Sequence, residues 1–183
     1  RGRTPKAVGK RRSMNPTVAA AWAALETLAD PEIPVVSLRE LGILREVRDG
    51  PDGLEVVITP TYNGCPAMGQ IEDDVRATLK SQGLVARVVT RLAPAWTTDW
   101  MSDAARDKLR AYGIAPPHTL PALPTGSSVL RFQPRRHALP AAVACPQCGS
   151  VHTVETSHFG STACKALYKC LDCKEPFDYF KPY

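Results

Sequence analysis

Nowhere in this 183-residue chain is there an apolar run long enough to cross a bilayer, which excludes a membrane-spanning helix. No glycine-rich dinucleotide fingerprint is present, so a nucleotide-dependent redox enzyme of that type is excluded. The paired Glu-x-x-His helices of a di-iron oxygenase are also missing, and with them the obvious catalytic subunit of an oxygenase. Internal repeats are absent. The basic N-terminus lacks a clear signal-cleavage site. Instead, Val18, Trp22, Leu25 and Ala29 recur at helical spacing, Glu26 interrupts the stretch, and Asn15-Pro16 forms a good N-cap and first-turn pair. A cytoplasmic protein with reduced thiols is expected.

An excess of positive charge in the body of the chain is lacking as well. The formal net charge is +5, from 23 Lys+Arg against 18 Asp+Glu, but six of the cations fall in Arg1 to Ser13. Without that tail the balance is 17 against 18, so the basic pI says little about nucleic acid. Residues 1–13 read as a basic disordered tail, and Met14 is a candidate start residue.

What the chain does have is cysteine in a telling arrangement. Cys145-Pro-Gln-Cys148 and Cys170-Leu-Asp-Cys173 are two CxxC pairs with 21 residues between them, the spacing of a four-thiolate zinc site. Four thiolates leave no position for water or substrate, so the expected zinc is structural. It would hold together a segment of about forty residues, too small to stabilise itself by apolar burial. Disulfides would need an oxidising compartment for which there is no signal. His152 and His158 are not needed as ligands.

The periodicities outline an α+β arrangement, α-β-β-α-β, over residues 14–113. A helix is expected from about Pro16 to Ala29. Leu44–Arg48 and Leu54–Thr59 read as strands joined by the turn sequence Asp49-Gly50-Pro51-Asp52-Gly53, hence a hairpin. Met68, Ile71, Val75 and Leu79 mark a second helix ending at Gly83. Leu84–Leu92 alternates as a third strand, and Asp103–Tyr112 is a further helix. Helices on one face of the sheet make a compact two-layer domain. Residues 114–142 read as a proline-rich linker: Gly113–Ala142 holds six prolines and no acidic residue. Val129–Phe132 is a candidate strand within it. The cysteine module occupies residues 143–183.

A second thiol site is suggested at Cys65. Pro66 suits a first helical position, which would make Cys65 the N-cap, its pKa lowered by unpaired N–H groups and the helix dipole. A small buried apolar residue is the alternative. Asp30-Pro31-Glu32 follows the first helix, where carboxylates gain nothing from the dipole; a solvated turn closed by two prolines is the alternative there. Cys164 belongs to neither CxxC pair. Packing is its simpler reading, and service beside a metal with Cys65 the sharper one. Trp96 and Trp100 read as core or interface aromatics.

Two longer segments carry a resemblance. Asp30-Pro-Glu-Ile-Pro-Val-Val-Ser-Leu-Arg-Glu-Leu-Gly-Ile-Leu and Thr59-Pro-Thr-Tyr-Asn-Gly-Cys-Pro resemble the iron–sulfur assembly domain family that includes SufT, over about residues 16–93. Leu92-Ala-Pro-Ala-Trp-Thr-Thr-Asp-Trp-Met, Phe159-Gly-Ser-Thr-Ala-Cys-Lys-Ala and Cys173-Lys-Glu-Pro-Phe-Asp-Tyr-Phe-Lys extend it to the PaaD family, accessory proteins of the multicomponent phenylacetyl-CoA epoxidase of phenylacetate degradation. The resemblance implies a maturation factor without intrinsic catalysis. It would hold iron or an iron–sulfur cluster transiently, and its partners would be the epoxidase components, above all the iron–sulfur reductase. Asp30, Glu32 and Cys65 are the residues it implicates in the assembly domain.

Two other classes compete. A nucleic-acid-binding or protein-interaction zinc ribbon is the first; against nucleic acid, residues 143–183 carry four Lys and four Asp+Glu with no basic stripe. A thiol oxidoreductase is the second, but such CxxC motifs open a helix in a βαβ setting and neither pair here does.

Overall fold

A computed structural model describes residues 15–118 and 142–183. Helix α1 (Pro16–Leu25) starts where Asn15 caps it, the side chain accepting a hydrogen bond from Thr17 N at 3.0 Å. It ends four residues earlier than its apolar spacing suggests. Residues 29–38 instead form a tight loop, closed by a bridge between Ala29 and Ser37 and a bond from Asp30 N to Val36 O. Strands β1 (Leu44–Gly50) and β2 (Gly53–Ile58) form the expected hairpin, with Gly50 opposite Gly53 across Pro51-Asp52. Helix α2 (Met68–Ser81) buries Ile71, Val75 and Leu79 and returns the chain to β3 (Ala86–Thr90), parallel to β2. The sheet order is β1-β2-β3.

After a single 3-10 turn at Thr98–Trp100, helix α3 (Asp103–Tyr112) is capped by Ser102, whose hydroxyl accepts from Ala105 N at 3.1 Å. It buries Ala105 and Leu109. Ile114–Ala115, expected in the linker, form strand β4 and are buried. They pair in parallel with the last strand of the cysteine module, so the linker begins later than its proline content suggests. Val129–Phe132 lies outside the described residues. The module itself comprises β5 (Thr153–Ser157), β6 (Lys165–Cys170) and β7 (Pro176–Phe180), in the order β4-β7-β6-β5. The chain is therefore an α+β domain with a second small sheet, and that sheet takes its first strand from the end of α3.

One apolar core spans both parts. Phe180 and Cys164 of the module are buried in the same cluster as Leu25, Leu41, Ile71, Leu79 and Leu109. Trp96 lies between the two parts, 3 % exposed. Its indole donates to Leu41 O at 2.9 Å, and its ring stands 5.9 Å from Phe180 and 6.2 Å from Tyr183. Trp100 sits under the Arg45 guanidinium at 3.4 Å. A Cβ on Gly42 would come within 2.7 Å of the Trp100 backbone, and its φ of +73° is one that side chains resist. The glycine of Leu41-Gly42-Ile43 is thus explained by a tryptophan almost sixty residues later. Among the described residues no helix is long and apolar enough to cross a membrane.

Candidate metal centre and thiol–carboxylate cleft

The four module cysteines come together. Their sulfurs all lie within 4.8 Å of one another, with Cys145 and Cys173 at 3.7 Å and Cys148 and Cys170 at 3.6 Å. A tetrahedron with Zn–S bonds of about 2.3 Å has edges of roughly 3.8 Å, so the donor set fits one such ion. Each pair sits on a matching turn. Gly149 N bonds to Cys145 O, and the residue after each pair, Gly149 or Lys174, has a left-handed φ of 76° or 68°. The N–H groups of Cys173 and then Asp172 help pull the Cys170 thiol down to about 6. The N–H of Glu175 acts the same way on Cys173, but burial and the neighbouring thiols of Cys170, Cys148 and Cys145 win and push it up to about 12. Four thiols this close cannot all ionise without a cation among them. His152 bonds to Asp172 at 3.1 Å and His158 to Glu155 at 3.2 Å, so neither joins the cluster.

The second site is a cleft at the seam between the two sheets. Asp30, Glu32, Cys65 and Cys164 all line it, with Ile71 and Phe180 among its apolar walls. Asp30 is buried, and its Oδ1 accepts from Glu32 N at 2.9 Å and Ile33 N at 2.8 Å. Asp30 is therefore no solvated turn residue: it braces the loop that carries Glu32. Burial raises its pKa, against the pull of those two N–H groups and of Lys165. Glu32 is shifted upward as well, by burial and then by Asp30.

Cys65 is placed differently from its expectation. Helix α2 begins at Met68 with Ala67 as N-cap, so Cys65 stands two residues outside the cap position. Burial raises its pKa, the Ala67 N–H opposes that rise, and Glu32 and Asp30 add to it. The helix end thus fails to make Cys65 a low-pKa thiol, because the carboxylates and the apolar wall outweigh one N–H. Cys164 is buried, lies 2.9 Å from Thr162 Oγ1, and is also raised by burial.

Lys165 had no sequence signal, since a lone lysine in a strand reads as a solvated charge. Its side chain is 7 % exposed and pairs with Asp178 at 3.1 Å. Its charge also acts on Asp30, Glu32 and Cys164. Among the described residues, only the four module cysteines bring three or more ligand atoms within 4.8 Å of one another. The cleft groups share a wall without converging.

A small α+β domain with a thiol–carboxylate cleft, joined to a four-cysteine ribbon, defines a class: an iron–sulfur assembly domain carrying a zinc-ribbon appendage. The family comparisons agree. Residues 19–90 match the iron–sulfur cluster assembly protein family and residues 132–181 the PaaD zinc beta ribbon domain. Over 168 residues, 91 % of this chain and 93 % of the relative, it is 48 % identical to an Escherichia coli K12 protein named "Putative 1,2-phenylacetyl-CoA epoxidase" and designated its D component. The chain belongs to that family. It is also 40 % identical over 84 residues to an Fe-S protein maturation auxiliary factor of Porphyromonas gingivalis, covering 44 % of this chain and 79 % of that one. A DUF59 domain of unknown function from Bacillus anthracis is 29 % identical, covering 51 % of this chain and 91 % of that one, with a TM-score of 0.46. A conserved hypothetical protein of Thermotoga maritima is 25 % identical, covering 58 % and 98 %, with a TM-score of 0.42.

Proposed function

We propose that this chain is a non-catalytic maturation factor for a phenylacetyl-CoA epoxidase system. It works in the cytoplasm and passes iron or an iron–sulfur cluster to the system's iron–sulfur reductase component. Cys145, Cys148, Cys170 and Cys173 hold a structural zinc, which supplies folding free energy to the ribbon. Asp30, Glu32 and Cys65 handle the cargo. The observation that carries this reading is the contrast between a closed four-thiol cluster and an unclosed thiol–carboxylate cleft in one molecule. A site that must give up its cargo gains from incomplete convergence, and sulfur with carboxylate oxygen suits iron. The ribbon's balanced charge favours a protein surface over a phosphate backbone as its partner.

Reconstitution tests the proposal. With a reductase component whose iron–sulfur centre is already complete, omitting this chain should leave the epoxidation rate unchanged. With a reductase lacking its centre, iron and sulfide should restore activity faster in its presence, and Cys65→Ser should abolish the gain. A rate that depends on stoichiometric amounts of this chain even with the completed reductase would make it a working part of the enzyme and overturn the reading.

A further inference from the structure

We propose that the cleft is a composite site for one soft divalent cation, held between the Cys65 thiolate of the assembly domain and the Cys164 thiolate of the ribbon, with Glu32 as the oxygen ligand. The identity of that cation as iron rests on the maturation reading; the site itself does not.

Four observations lead there. The two thiols come from residues about a hundred positions apart, yet both line one cleft, and Cys164 is buried there. The open space is about 20 Å³, room for one water or one ion and too little for a multi-atom cluster. The charge also calls for a cation. With Asp30, Glu32 and Asp178 ionised and Lys165 protonated, the groups in and beside the cleft sum to −2, and to −4 once both thiols ionise, so a divalent ion among them halves the charge to −2. Finally, each group has a separate task. Asp30 spends Oδ1 on two backbone N–H groups and so positions Glu32, while Thr162 Oγ1 at 2.9 Å can donate to the Cys164 sulfur. Because the ligand atoms do not yet converge, side-chain rotation must close the shell, which keeps the ion exchangeable. Two sulfurs and one carboxylate select iron, cobalt or zinc over magnesium or calcium.

The ribbon's own metal supports this second site mechanically. Strand β6 starts at Lys165, directly after Cys164 of the cleft, and ends at the ligand Cys170, while β7 runs from just after the Cys173 turn to Phe180 at the cleft. A zinc-free ribbon would therefore withdraw one of the two thiols.

The test uses the full chain with its ribbon loaded with zinc, titrated anaerobically with cobalt(II) while thiolate-to-cobalt charge-transfer absorption is read. One equivalent should bind beyond the retained zinc. Cys65→Ser and Cys164→Ser should each lower the absorption per bound cobalt by about half, as one of two thiolates is lost. Cys164→Ala, with zinc content as the fold control, covers the case in which serine disturbs the core. No extra equivalent in the wild type, or a Cys164→Ala titration indistinguishable from it, overturns the composite site. Scoring the same variants in the reductase reconstitution separates the two ideas. A cobalt site that fails while maturation still needs the chain sinks only this inference; a two-thiol cobalt site with no effect on the reductase sinks only the maturation reading.

Discussion

The ribbon cluster and the cleft are built from the same side chain and differ in almost everything else. In the ribbon, two short turns fix all four sulfurs within 4.8 Å of one another, and backbone N–H groups support them. In the cleft, two sulfurs are set among carboxylates and a buried ammonium, with no such convergence. The first arrangement fits a tightly held ion; the second, in the proposed reading, fits one that leaves. The difference shows that a converging thiol cluster can be read from spacing along the chain, whereas the cleft is assembled from distant segments in three dimensions.

The largest expected effect comes from removing the ribbon metal. Structural zinc contributes on the order of 10 kcal/mol to small folds of this kind. Chelation under reducing conditions should unfold β5–β7 and move tryptophan emission to longer wavelength as Phe180 and Tyr183 leave Trp96. A metal-free, reduced sample with unchanged emission and ribbon structure would erase the distinction between the two sites. Next comes Phe180→Ala. This ring is 1 % exposed and packs against Trp96, so its loss should cost about 3–5 kcal/mol in denaturant unfolding. A cost below about 1 kcal/mol would mean that the two parts are only loosely joined.

Gly42→Ala should follow at about 1–3 kcal/mol, from a Cβ forced against the Trp100 backbone. The cleft itself is probed by alkylation. Because burial and then Glu32 and Asp30 raise the Cys65 pKa, its reaction-versus-pH profile should lie at higher pH than that of an unstructured thiol. Glu32→Gln removes one negative neighbour, so the profile should shift back to lower pH and the neutral-pH rate should rise. An unchanged profile would show that Glu32 does not act on the sulfur. The smallest effect separates the two ribbon turns. Lys174 holds a φ of 68° where its counterpart is Gly149. Lys174→Gly should therefore be neutral or stabilising by up to about 1 kcal/mol, while Gly149→Ala should destabilise by about 1 kcal/mol in thermal melts.

Much of the fold was legible because local chemistry determines it. The α3 limits follow from Ser102 and Gly113, and the hairpin follows from five consecutive turn residues. The ribbon cysteines were legible for the same reason. Strand β4 was not, since two residues carry no periodicity and its pairing with Asp178 and Tyr179 is more than sixty residues distant. Cys65 stands out in the sequence, but its electrostatics do not, because Asp30 and Glu32 reach it only through the loop that Asp30 braces. Cys164 reads most simply as a packed thiol, and Lys165 carries no local signal. Both owe their place to how the ribbon docks, and no short-range pattern reports that.

Strand β4 has a further consequence during synthesis. The chain emerges at roughly 5–20 residues per second, with the assembly domain first. Until β7 has been made, Ile114 and Ala115 have no strand partner and Trp96 has no Phe180 to cover it. The nascent domain therefore waits with an apolar seam uncovered until the ribbon folds, a step that would wait on metal if the four cysteines need their ion to come together. Zinc supply would then act as a licensing step, and zinc shortage would leave chains with an incomplete cleft.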